Sequence, residues 1–343
     1  MIQNFYILAM GRSGTTLLQS ILDNHSCIVV PPESYFMIHL DKKYGSLKKW
    51  DNKIISKFIN DLYTDRPFRL TWRIPKKDVI EAFELASPIK SFESACNVIR
   101  STYKKSYLEK KLVCIGDKKP LYAAFTNRLM KISPKAKIIH MVRDPRGVGN
   151  GQINTFKKKD ALALGYIWNK QNKSILKLRE KFPNQYFLLK YEDLIKEPEK
   201  TIKLICEFLN VTYNSDVMNY LTNTSTRFDR YTQLFKDRHK SLLQPIKTSI
   251  SEKWKTDLDS KSKKHIEYMT YDLAKFFGYH FQKPKTDFQI LIKSPLSKVK
   301  VFFGMFILKL FFGMPFILRK TILQIRSKLS DDMYWPEQYH IEK

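Results

Sequence analysis

Residues 4–24 read NFYILAMGRSGTTLLQSILDN. Asn4 to Met10 is a short apolar run rich in aromatic and aliphatic residues, the pattern of a parallel strand buried on both faces. It runs into Gly11-Arg12-Ser13-Gly14, and from Thr15 to Asn24 the residues Leu17, Leu18, Ile21 and Leu22 recur at helical spacing. Strand, glycine-containing loop and helix form the opening unit of an α/β fold.

Working outward, similar apolar runs recur at Cys27–Val30, Leu112–Ile115, Lys137–Val142 and Tyr186–Leu189, each followed by turn residues and a helical pattern. The reading is a parallel sheet of about five strands flanked by helices. Roughly residues 35–110 are helical throughout, with one stripe at Ile54, Ile55, Phe58, Ile59 and Leu62 and another at Val79, Ile80 and Phe83. This interval is expected to be a helical insertion, a candidate substrate lid. Helices are also expected over Glu197–Asn210 and over His265–Phe277, which ends at Gly278.

Gly11 to Thr16 between a strand and a helix suits an anion. Glycines permit close backbone approach, amide groups point at the ligand, and the helix N-terminus adds partial positive charge. The plainer alternative is a glycine turn. Aligned with the phosphate loop of nucleotide triphosphatases, the sequence has Thr15 in place of the lysine and Ala9 in place of the first glycine. That argues against a P-loop kinase or NTPase, the runner-up phosphotransferase reading. The loop's cation, Arg12, instead stands where it could lie over a leaving group.

The segment Ala9–Glu33, with RSGTTL at its centre, resembles the 5′-phosphosulfate loop of the sulfotransferases, whose donor is 3′-phosphoadenosine 5′-phosphosulfate (PAPS). About 130 residues later KIIHMVRDPR, Lys137 to Arg146, resembles that family's 3′-phosphate strand and turn. Weaker matches at Tyr191-Glu192-Asp193-Leu194 and Pro245–Trp254 extend the resemblance over roughly residues 4–280. It implies a P-loop-type α/β enzyme of the protein-tyrosine and glycan branch, using PAPS as co-substrate and no metal. Gly11, Arg12, Ser13, Gly14, Thr15 and Thr16 would hold the phosphosulfate, with Arg12 neutralising charge on the bridging oxygen. Arg143 would take the 3′-phosphate by its fork of donors. Tyr191 and Lys253 would add donor-site contacts. Trp254 reads equally well as core.

The resemblance also implies a general base, Glu33, and a lysine, Lys118 in Gly116-Asp117-Lys118-Lys119-Pro120, assisting the transferring group after the third strand. Plainer alternatives are a helix-start carboxylate before Ser34 and two solvated lysines; His25 and His39 are rival bases. One departure stands out: where the family usually places a serine, eight residues after Arg143, this chain has Gly151, in Gly147-Val148-Gly149-Asn150-Gly151. Backbone amides of a glycine-rich turn, or Asn150, would substitute. The acceptor implied is a hydroxyl of a carbohydrate or lipid-linked molecule, with protein tyrosine as the alternative.

Charge and cysteines bound the rest. The formal charge of +28 implies a polyanionic partner, and nucleic acid, an acidic membrane surface or a multiply charged anionic cofactor would each satisfy it. A purely nucleic-acid-binding module would use the charge but leave the loop unexplained. Cys27, Cys96, Cys114 and Cys206 are scattered in apolar stretches without metal-ligand spacing, so no disulfide framework is expected and a cytoplasmic setting fits. No N-terminal signal or anchor is read, since Asn4–Met10 is already strand-like.

The domain is taken as residues 1–283 and a basic tail as 284–343. Residues 285–328 carry nine Lys or Arg and one Asp around the apolar segment Val301–Leu318, interrupted by Lys309 and Pro315, in which FFGM occurs twice, at 302–305 and 311–314. This composition predicts a helix at an anionic membrane surface, placing the protein at the inner membrane face; the plainer alternative is a helix folded onto the domain.

Overall fold

The computed structural model describes residues 2–65, 68–103, 112–221 and 240–329. β1 (Gln3–Leu8) leads through the 11–14 loop into α1 (Thr15–Leu22) and then β2 (Ile28–Val29). The helices α2 (Phe36–Tyr44), α3 (Asn52–Leu62), α4 (Lys76–Leu85) and α5 (Phe92–Thr102) precede β3 (Cys114–Lys118). α6 (Thr126–Ile132), β4 (Lys137–Val142), α7 (Pro145–Phe156), α8 (Ala161–Lys181), β5 (Tyr186–Lys190), α9 (Tyr191–Lys196) and α10 (Pro198–Leu209) follow. The chain then passes through α11 (Ser260–Phe276), α12 (Phe288–Gly313) and α13 (Phe316–Leu329).

The five strands form one sheet in the order β2-β3-β1-β4-β5, and every pair is parallel. Central β1 is buried on both faces and alternates between two cores. Phe5 and Ile7 join Leu18, Ile21 and Leu22 of α1 and Ile202, Ile205 and Leu209 of α10. Tyr6 and Leu8 join Phe36 and Leu40 of α2, Phe58 of α3 and Phe83 of α4. Helices thus cover both faces, and all strand carboxyl ends open on one edge, where open α/β sheets bind ligands.

Four expectations are corrected. The third strand starts two residues later than its apolar run and continues through Gly116-Asp117-Lys118, with Lys118 in register with Ile7 of β1. Charged residues can end this buried strand because each has a partner: the Tyr122 hydroxyl donates to Asp117, and Lys118 donates to Thr16 and Glu33. Gly147–Gly151 is no turn but the first half of α7, capped by Asp144, whose Oδ1 accepts from the Arg146 amide at 2.8 Å, and started by Pro145. In the second helical stripe Val79 and Phe83 are buried, whereas Ile80 faces solvent.

The fourth concerns the tail: Val301–Leu318 is not one helix. α12 ends at Gly313, Pro315 cannot continue its hydrogen-bond ladder, and α13 leaves at a bend of 116°. One face of α12, at Ile290, Ser294, Ser297, Val301 and Phe312, is buried. The Ser297 hydroxyl donates to both carboxylate oxygens of Asp160 at 3.0 Å. At the break, Arg319 donates to the carbonyls of Phe312 and Met314 at 2.8 and 2.9 Å and also to that of His39. Phe312 and Phe316 enter the core beside α2, a burial that contributes about 1.5–3 kcal/mol per side chain. The opposite face of the same helices remains exposed.

Candidate active site

The site is built where β1, β3 and β4 end. Gly14 caps α1 with φ +91°, a left-handed conformation that glycine adopts without strain, and among the described residues no side chain caps the helix N-terminus. A Cβ on Gly14 would stand 2.3 Å from Tyr191 Cδ2, so the loop lies directly on the Tyr191 ring. Arg12 also has positive φ, 77°, which costs a residue with a side chain about 1–2 kcal/mol. Ser13 and Thr15 are buried, and the Gly11 carbonyl accepts from Gln152 Nε2 at 3.0 Å.

Arg143, at the end of β4, fastens this loop from behind. Its Nη1 donates to the Arg12 carbonyl at 3.0 Å and its Nη2 to the Ile250 carbonyl at 3.3 Å, while the guanidinium lies 4.3 Å from the Tyr191 ring centroid. Its Nε is buried and, among the described residues, has no hydrogen-bond partner. A buried charged donor left unpaired is expensive unless a ligand completes it.

On the other side, Lys118 Nζ donates to Thr16 Oγ1 at 3.1 Å and to Glu33 Oε1 at 2.7 Å, and is 1% exposed. Lys119 Nζ reaches Glu33 Oε2 at 3.1 Å and lies 3.9 Å from the Tyr35 ring centroid. Burial pushes the Glu33 carboxyl up, but the two ammonium groups outweigh it and hold it at about 2. Burial likewise pulls the Lys119 ammonium down, and the Glu33 carboxylate reverses this and raises it. The ammonium that the loop's own sequence lacks is therefore delivered to Thr16 from β3.

Glu33 is fixed by a backbone held at several points. Gln19 Nε2 donates to the carbonyls of Val30 and Pro31 at 3.1 and 2.7 Å. Trp72 Nε1 donates to the Pro32 carbonyl at 2.9 Å, and Asp23 accepts from the Val30 amide at 2.8 Å. Asp65 accepts from the Tyr35 and Phe68 amides and is pushed up to about 6 by burial.

The sequence-derived site residues thus divide. Arg143 bonds the loop at the Arg12 carbonyl, the Tyr191 ring lies against Gly14, and Lys118 meets the loop at Thr16 and binds Glu33. Gly151 lies on α7 against Arg12: a Cβ there would be 3.0 Å from Arg12 Cβ and 3.4 Å from its Nε. Asn150 is tied to Asn154 and Asp257, within and beside α7. Lys253 is exposed, and its segment meets Arg143 through the Ile250 carbonyl instead; Trp254 is buried under the Arg146 guanidinium. His25 Nε2 bonds the Thr212 carbonyl and its Nδ1 accepts from the Cys27 amide, making it a turn residue. His39 is buried on α2 against Phe316, its imidazole held at about 4 by burial and Arg319.

Sequence reading missed Lys119 as a second partner of Glu33, although it adjoins Lys118. It also missed Gln19, Trp72 and Gln152, whose supporting bonds are long-range and leave no local signal. Cys96, Cys114 and Cys206 are buried, and all four cysteines are free thiols. Among the described residues no group of three or more His, Cys, Asp or Glu could hold a metal ion.

A family model described as "Sulfotransferase family" matches residues 4–215, which include both the loop and the Arg143 strand. The chain belongs to the sulfotransferase family. A Caenorhabditis briggsae sulfotransferase relative, named "Putative protein-tyrosine sulfotransferase", is 24% identical over 322 residues, covering 89% of this chain and 100% of that protein. Carbohydrate sulfotransferase 1 of Danio rerio is 28% identical over 111 residues, 26% of this chain and 26% of that one. Among solved structures, the sulfotransferase domain from the Synechococcus PCC 7002 olefin synthase matches with a TM-score of 0.53 at 21% identity, covering 82% of this chain and 96% of that one. This sulfotransferase therefore shares that domain's fold.

Proposed function

We propose that this enzyme transfers the sulfuryl group of PAPS to a hydroxyl of a carbohydrate or lipid-linked acceptor. The observation that carries the reading is the junction at Thr16, where the uncapped loop and the Lys118–Glu33 pair meet. The loop amides and α1 N-terminus suit the 5′-phosphosulfate, and the unpaired Nε of Arg143, beside the Tyr191 ring, suits the 3′-phosphate.

PAPS supplies an activated sulfuryl group for in-line displacement. The acceptor oxygen bonds to sulfur as the bond from sulfur to the 5′-phosphate oxygen breaks, so the residues chiefly position groups and offset charge. Arg12 faces the charge that grows on the leaving oxygen. Glu33 accepts the acceptor's proton.

With both lysines in place Glu33 is a weak base. Lys118 already donates to Thr16, within the loop, so an anion there competes with Glu33 for its ammonium. As that ammonium turns to the anion, the proton affinity of Glu33 rises. Donor binding thereby readies the base.

The full-length similarity to a protein named a protein-tyrosine sulfotransferase supports peptide tyrosine as the second acceptor reading. Radiolabelled sulfate transfer from PAPS to panels of glycans, lipid-linked sugars and tyrosine peptides tests the proposal. Label must reach a hydroxyl acceptor and be lost in Glu33→Gln; transfer to tyrosine peptides alone selects the second reading.

A further inference from the structure

We propose that the outward face of α12 and α13 is a docking surface for an anionic phospholipid bilayer, on which the protein lies flat rather than crossing it. This does not depend on the catalytic reading. The two faces of α12 carry the inference. At about 100° per residue, the buried residues Ile290, Ser294, Ser297, Val301 and Phe312 fall within roughly 60° of one another, against the protein body. On the opposite side Leu291, Val299, Phe302, Phe303, Phe306 and Leu310, all at least half exposed, span roughly 120°. α13 adds exposed Ile317 and Leu318. Monomeric proteins seldom leave so long an apolar stripe in water.

Charge identifies the occupant. Lys293 and Lys300 project along one flank of the stripe and Lys298 and Lys309 along the other, all four exposed. Residues 288–329 contain no Asp or Glu. Lysines bordering an apolar face reach up to phosphate groups while their stems follow the hydrocarbon, an arrangement made for an anionic interface. A second copy laid on the same face would bring lysine rows together, with no carboxylate on either helix to pair with them.

Among the described residues no single helix is long and apolar enough to span a membrane; only the α12–α13 pair is, and it is bent by 116°. The inner face of α12 is fastened by the Ser297–Asp160 bonds and buried Phe312. About 39 Å of helix is therefore held along the protein surface.

The test is co-sedimentation of the full chain with vesicles of phosphatidylcholine containing phosphatidylglycerol, or of phosphatidylcholine alone. The chain should pellet with the anionic vesicles and be released by salt. Phe302→Glu/Phe306→Glu should lower the binding constant at least about tenfold without moving the thermal midpoint, since both rings are exposed. Replacing Lys293, Lys298, Lys300 and Lys309 by Gln should abolish the preference for anionic vesicles. The proposal is overturned if the full chain ignores anionic vesicles, or if its binding is unchanged by the phenylalanine substitutions. It is overturned equally by a dimer, seen in sedimentation velocity, that those substitutions dissolve while vesicles have no effect.

Discussion

Lys118 Nζ and Glu33 Oε1 stand 2.7 Å apart at the carboxyl end of β3 and beyond that of the edge strand β2, one residue fully enclosed and the other 30% exposed. With Lys119 on the second oxygen, the carboxylate stays ionised down to about pH 2. The sign follows: a depressed carboxyl stabilises the fold above its ordinary range near 4.5, and that contribution fades as pH falls from there toward 2. In the free enzyme the acid limb of kcat/KM should therefore show no carboxylate inflection near 4.5. Lys118→Met should bring one back, shifted up toward the ordinary range, and Glu33→Gln should lower kcat by about 10²–10⁴. An unchanged acid limb in Lys118→Met would separate the pair from catalysis.

Gly151 makes room for Arg12. A serine Cβ at 3.0 Å from Arg12 Cβ would be tighter than nearly all such contacts, so Arg12 must give way by a few tenths of an ångström. Gly151→Ser should weaken binding of 3′-phosphoadenosine 5′-phosphate (PAP) by about tenfold, with a small change in thermal midpoint. Equal or tighter binding by calorimetry would mean that the added hydroxyl serves the ligand and that Arg12 yields freely.

His140 on β4 is buried between Asn172, whose Oδ1 lies 2.8 Å from Nε2, and the Tyr186 hydroxyl. Burial holds its imidazole at about 4, below the ordinary 6.5. Here the stabilising form is neutral, so its contribution is complete above pH 6.5 and declines as pH falls toward 4, by at most about 3 kcal/mol. His140→Gln cannot charge. Its thermal midpoint should fall less steeply than that of the wild type between pH 6.5 and 4, and identical slopes would assign the acid sensitivity elsewhere.

Much of this was legible in the sequence because buried parallel strands are written as apolar runs: all five were found, and Lys137–Val142 to the residue. The end of β3 was hidden because Asp117 and Lys118 do not look like a core strand; only their distant partners permit it. The glycines of α7 imitate a turn, yet their missing side chains admit Arg143, Ile266 and Arg12 in succession. Pro315 marks the break in the apolar tail, whereas the 116° bend and the burial of Phe312 and Phe316 beside α2 depend on residues distant in sequence. Of the candidate site, the loop and Arg143 carried local signals, whereas Lys119, Gln19, Trp72 and the Ile250 carbonyl act through the fold.

The most direct measurement is calorimetric titration with PAP in the absence of magnesium, on the protein and on Arg143→Ala, with magnesium-ATP as the comparison ligand. PAP should bind the protein without metal and more tightly than magnesium-ATP, and Arg143→Ala should weaken it by roughly ten- to a hundredfold. Preference for magnesium-ATP, or PAP binding indifferent to Arg143, would contradict the assignment of the donor site.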